Sequence, residues 1–160
     1  MIAVLFEHEA RALLLAHGVL GFTAVFSATH HAAHSVLAAL GRPQTRALQR
    51  FGWIAPLSVL AQALFGLLLY PAYRVQVRAA VLDKVAPAVS QLFDFKEHLA
   101  ALSLALIVAA ALSARGQTAE TPREQRVPIA ALSVTAASFL WAAAIIGLYV
   151  TARQPVGGMP

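Results

Sequence analysis

Four long apolar runs separated by three polar connections set the pattern of this chain. The first extends from Ala12 to Leu40 and is interrupted only by histidines. As a helix it would be about 43 Å long, against about 30 Å of hydrocarbon in a bilayer. One end, Ala33 to Leu40, is therefore expected to protrude into the interface, or the helix to tilt. Gly41 and Pro43 should stop it, as a C-terminal glycine followed by proline does. The second run covers about 53–73, with Trp53 at one interface and Tyr70 and Tyr73 at the other. Pro56 falls in its first turn, where proline is tolerated, and Pro71 should end or kink it. The third run covers about 97–114, and the fourth opens at Pro128 and reaches about residue 151.

Between the second and third runs, Val77, Val81, Val85 and Val89 recur at helical spacing, with Arg78 and Lys84 elsewhere around the wheel. That pattern predicts an amphipathic segment lying on the membrane surface and broken near Pro87, although VQVR alone is equally compatible with extended chain. The expected fold is an all-α integral membrane protein. It is an up-down four-helix transmembrane bundle with an interfacial amphipathic segment between helices 2 and 3. Residues 1–153 form one domain, and 154–160 a disordered tail.

Composition supports this reading. Of 160 residues, 59% are hydrophobic and only 12% charged, where soluble domains carry roughly 25% charged residues. The chain has no cysteine, which removes disulfides, thiolate zinc sites, iron–sulfur clusters and covalently attached haem from within it. Its net charge of +5 needs no nucleic-acid partner, because the arginines sit in short loops where headgroup contact and topology explain them. Arginine-dominated basic residues and abundant alanine point to a GC-rich bacterial genome and a multi-pass protein of the bacterial inner membrane. Glu7 and Glu9 stand where a secretory signal would be positive, so the first apolar run is expected to be retained. Orientation is balanced. Arg42, Arg46, Arg50, Arg115, Arg123 and Arg126 lie on one side, and Arg11, Arg74, Arg78, Lys84, Lys96 and Arg153 on the other.

The histidines carry the chemistry. His17, His30, His31 and His34 all lie in the first apolar run, and ionisable groups inside a membrane mark function by default. On a helical wheel His17 and His31 share the face of Gly21, Ala24, Ala28 and Ala32, small residues that let neighbouring helices approach. His98 similarly heads a stripe of Ala101, Ala105, Ala109 and Ser113. Imidazoles on two helices flanked by small residues predict a b-type haem with His17 and His98 as axial ligands. His31 is then a second-site ligand, and Arg74 and Glu97 order propionates or a quinone headgroup. His17 and His98 differ in expected depth by about 7 Å, to be absorbed by tilt unless His8 is the true partner.

The fourteen-residue separation of His17 and His31, about 21 Å along a helix, resembles the spacing of haem-ligating histidines in dihaem cytochromes b. The resemblance covers two residues of one helix and implies one haem near each membrane face. Only His98 is present to pair with them, so a second haem would need a methionine, another chain or a homodimer.

Two further constellations compete. His30-His31-x-x-His34 places two imidazoles four residues apart, a spacing that suits zinc or copper, with a third ligand from His31, Glu120 or Glu124. Glu7, Glu9, Arg74, Asp94, Lys96, Glu97 and His98, with Tyr70 and Tyr73, form a polar cluster suited to proton relay or ordinary snorkelling. Gln62 and Trp141 sit mid-span and are expected to face the bundle. The functional expectation is haem-linked electron transfer between a quinone pool and a partner redox protein. The alternatives are a copper or zinc protein and a non-catalytic membrane subunit or assembly factor with structural histidines. Hydrolase motifs and the paired broken helices of transporters are absent from the sequence.

Overall fold

A computed structural model describes residues 6, 8–42 and 45–153. Helix α1 spans Ala10–Ala39 and α2 spans Thr45–Ala72. Helix α2 runs on into a π-helical stretch, Tyr73–Leu82, and the short turn α3, Asp83–Val85. Helices α4 and α5 span Pro87–Ala114 and Arg123–Arg153. Among the described residues there is no strand. Glu7, the stop at Pro43 and the tail 154–160 lie outside the described residues.

The ends of the helices follow from local chemistry. Gly41 takes φ +82°, a left-handed conformation that a side chain would strain. The Arg42 N–H then donates to Leu37 O at 2.9 Å and the Gly41 N–H to Ala38 O at 3.1 Å. These are the two bonds of a Schellman cap, which satisfies carbonyls that the helix leaves open. Pro71 lies inside α2, and π-helical geometry begins two residues later. A proline ring crowds the preceding turn, and a wider turn relieves it.

Two boundaries differ from expectation. Helix α4 begins at Pro87 rather than near residue 97, directly after Ala86 leaves helical space (φ −149°, ψ 61°), because proline is favoured in a first turn and restricts the residue before it. The break near Pro87 falls where the proline predicted it, and the charges between 94 and 97 lie within the helix, Asp94 paired with Arg78 and Glu97 with Lys96. Helix α5 likewise begins at Arg123, before Pro128.

The four long helices form a ring in which α1 packs between α2 and α5, and α4 between α5 and α2. The middle of the core is built from Ala24, Ala28, Ala55, Val59, Ile107, Ala136 and Leu140. Alanines at these positions bring the backbones together without bulky intervening side chains. Leu15, Phe22 and Leu148, by contrast, are more than two-thirds exposed. Water would penalise that outer surface and lipid would not.

All four long helices are long and apolar enough to cross a membrane, with mean hydropathies from 1.7 to 2.1 over their most apolar windows. The chain is therefore a helical, multi-pass membrane protein whose environment is a lipid bilayer.

Charged side chains fasten the ends. The Arg126 guanidinium is buried, and it donates to Ala38 O (3.1 Å), Thr118 O (3.1 Å) and Ala119 O (2.7 Å). It ties the C-terminal end of α1 to the α4–α5 connection. At the other end Arg78 grips Asp94 with two bonds of 2.7 and 2.9 Å, the bidentate geometry that guanidinium makes with carboxylate.

Candidate functional site

His31 is the most enclosed titratable side chain, with 0% of its surface exposed. It lies on the buried stripe of α1 among Ala24, Ala28, Ala32 and Ser35. Its Nδ1 is 3.1 Å from the hydroxyl of Ser133 on α5. That hydroxyl also lies 2.7 Å from Ile129 O and 3.1 Å from the Ser35 hydroxyl. A serine has a single proton to give, and the carbonyl is the nearest acceptor, so Ser133 donates to Ile129 O and accepts from the His31 Nδ1–H. The lone pair of the ring is thereby directed to Nε2. That atom is buried and has no hydrogen-bond partner, and a buried unpartnered polar atom is costly.

Nε2 points at Gly52 of α2. A Cβ on Gly52 would stand 3.6 Å from Nε2 and 4.0 Å from the Ala111 methyl of α4. Gly52 and Ala111 also line a groove of about 270 Å³, together with Leu48, Gln49, Trp53, Ala114 and Arg115. An imidazole fixed through Nδ1 with Nε2 free is the arrangement by which histidine binds metal.

His17 occupies the equivalent position one membrane half away, but its ring is satisfied. Its Nδ1–H donates to Gln62 O at 3.0 Å, and Nε2 accepts from the Gln62 side-chain amide at 3.2 Å. The ring lies on Gly66, where a Cβ would come within 3.0 Å of His17 Cε1. So His17 meets Gly66 and His31 meets Gly52, and both pairs are fourteen residues apart on their own helix. Lys96, only 12% exposed, lies within electrostatic reach of His17. Its ammonium is 2.6 Å from Glu97 and 4.5 Å from the centre of the Phe93 ring. Gly147 of α5 leaves room for its stem.

The other sequence-selected residues are dispersed. His98 is exposed, and its Nδ1–H donates to Asp94 O of its own helix at 2.7 Å. The stripe that follows it (Ala101, Ala105, Ala109, Ser113) is exposed too, since α4 turns Leu99, Ser103 and Ile107 inward instead. Ser103 anchors that face by donating to Ala136 O at 2.9 Å. Among the described residues no hydrogen bond or ring contact joins His98 to His17.

His30 and His34 stack on Phe51 with ring centroids 4.9 and 5.7 Å away, while His31 turns toward α5. Among the described residues no three His, Asp or Glu side chains are grouped to hold a metal ion. Arg74 and His8 are exposed. Gln62 faces the bundle as expected. Trp141 does not, being half exposed with its indole N–H donated to the Thr29 hydroxyl at 3.1 Å.

Ser133, Gly52 and Gly66 escaped the sequence reading as site residues. The two glycines had a signal, namely a spacing that matches that of the two histidines on the neighbouring helix. Lys96 was placed in the polar cluster with Glu97 and His98, and the fold encloses it among Glu97, Phe93 and Gly147. Comparison with protein-family models, with curated proteins and with solved structures finds no match.

Proposed function

We propose that the protein is a membrane haem protein that carries electrons between a quinone pool and a partner redox protein, with His31 as an axial ligand to the iron. One observation carries this reading. A fully buried imidazole is fixed at Nδ1 by Ser133 and presents an unpartnered Nε2 to a glycine. Haem supplies four equatorial nitrogens of its own and asks the protein for one or two axial ligands. A bare zinc or copper ion asks for three or four side chains, and the inward donor set here is a single imidazole. The wall against that nitrogen is Gly52, with the Ala111 methyl beside it, so no bulky side chain stands there.

His17 and His98 fit less directly than His31. Gln62 occupies both nitrogens of His17, which favours a helix-packing role for that residue. His98 retains a free, outward Nε2 and would serve as a ligand only at a contact between two copies of the chain.

In this reading the chain is an up-down bundle in the bacterial inner membrane. Residues that touch across each neighbouring pair of helices run in opposite order, as His17–Gly66 and His31–Gly52 do. The segment 73–85 forms the interfacial stretch. Haem, when bound, would supply the one-electron chemistry needed between a two-electron quinol and the partner, and His31 would hold it. The test is haem content and metal analysis of protein purified after expression with a haem precursor. About one haem per chain is expected. Stoichiometric zinc or copper without haem would overturn the reading in favour of the His30-His31-x-x-His34 site. Neither species would leave a structural subunit.

A further inference from the structure

The groove beside His31 does not end at its polar mouth. It runs on between α2 and α4 as a second hollow of about 300 Å³, lined by Pro56, Leu57, Leu60, Leu104, Val108 and Leu112. Gly52, Trp53, Ala111 and Arg115 line both parts. From Gly52 to Leu60 the path is about 12 Å along the helix. The two hollows therefore adjoin, one with polar residues at its rim and the other almost wholly apolar.

The polar end is rich in donors. Arg115 and the Gln49 amide offer N–H groups, and the guanidinium carbon of Arg115 sits 4.0 Å over the Trp53 ring. Its charge is thus already engaged by a π face. Donors beside an aromatic surface, followed by an apolar slot, match a flat head with carbonyl acceptors and a hydrocarbon tail. We infer that this groove binds an isoprenoid quinone, its ring against Trp53 and its carbonyls on Arg115 and Gln49, with the tail along Leu57, Leu60 and Val108.

His31 does not line the groove, but its Nε2 packs against Gly52, a residue that does. A ring held there lies one residue's width from the cofactor ligand. That redox consequence rests on the haem reading of His31, whereas quinone binding itself does not.

The test uses the purified full chain in nanodiscs, in a Trp141→Phe background that leaves Trp53 as the sole indole. Titration with a decyl-tailed benzoquinone should quench the fluorescence saturably. Arg115→Gln should weaken binding by about tenfold, and Leu57→Ala with Leu60→Ala should weaken it without altering the helical spectrum. His31→Ala should remove haem yet keep saturable quenching, which separates failure of the haem reading from failure of this one. Quenching that rises linearly and equally in all variants would overturn the proposal. So would equal displacement of the quinone by phosphatidylglycerol, which would make the groove an anionic-lipid site.

Discussion

The Nε2 atom of His31 lies 3.6 Å from the position that a Cβ would take on Gly52. That separation is ordinary van der Waals contact, so a methyl group fits without displacing the imidazole. Alanine is also about 1 kcal/mol better than glycine in a helix interior. Gly52→Ala should therefore raise stability by up to about 1 kcal/mol while lowering haem occupancy, because the methyl would crowd the approach to Nε2. Thermal unfolding and haem content of the same preparation check both halves. A purely structural His31 would give the stabilisation alone.

Ser133 holds the His31 ring by accepting from Nδ1. In Ser133→Ala the Nδ1–H loses its partner inside the core, which costs about 1–3 kcal/mol. Removal of a hydrogen bond behind a metal ligand typically weakens metal binding by about 10–100-fold. Haem dissociation, followed by transfer to an acceptor protein, should accelerate accordingly. Ser35→Ala, which touches Ser133 but not the ring nitrogens, should change it little.

Lys96 and Glu97 predict an asymmetry. Lys96 is enclosed, whereas Glu97 is half exposed. Lys96→Met replaces a buried charge with an apolar side chain of similar length and should be close to neutral for stability. Glu97→Gln leaves that charge uncompensated and should destabilise by on the order of 2 kcal/mol, less than for a fully buried pair because water still reaches the carboxylate. Denaturation in a fixed detergent compares the two.

Arg126 is a fastener, as its three carbonyl acceptors show. Arg126→Ala exposes the α1 C-terminus and should cost about 1.5–3 kcal/mol. Protease cleavage in the connection 115–122 should rise, with haem binding reduced only through stability. Arg126→Lys should recover part of the loss, since an ammonium reaches fewer of the carbonyls than a guanidinium does.

The membrane character was legible because it is written in composition. Four apolar runs and sparse charges leave few other folds, and the α1 stripe of Ala24, Ala28 and Ala32 is buried as its spacing implied. The α4 face was misread for a physical reason. A stripe of small residues and its opposite stripe of Leu99, Ser103 and Ile107 both suit a helix contact. The choice fell to Ser103, whose partner Ala136 O lies on another helix and is invisible in local sequence. The break near Pro87 was legible from the proline, whereas the pairing of Asp94 with Arg78 was not, since Arg78 lies on a separate element. His31 was identified, but its rank above His17 depends on Gln62 and Ser133, each supplied from a different helix.

The most direct test of the central claim is a reduced-minus-oxidised absorbance spectrum, taken on the purified chain and on its single histidine variants. A low-spin b-type α band is expected in the parent protein, in His30→Ala and in His34→Ala, and it should vanish in His31→Ala. A featureless spectrum from folded, haem-supplied parent protein, or a band that survives in His31→Ala, would contradict the assignment of His31 as the ligand.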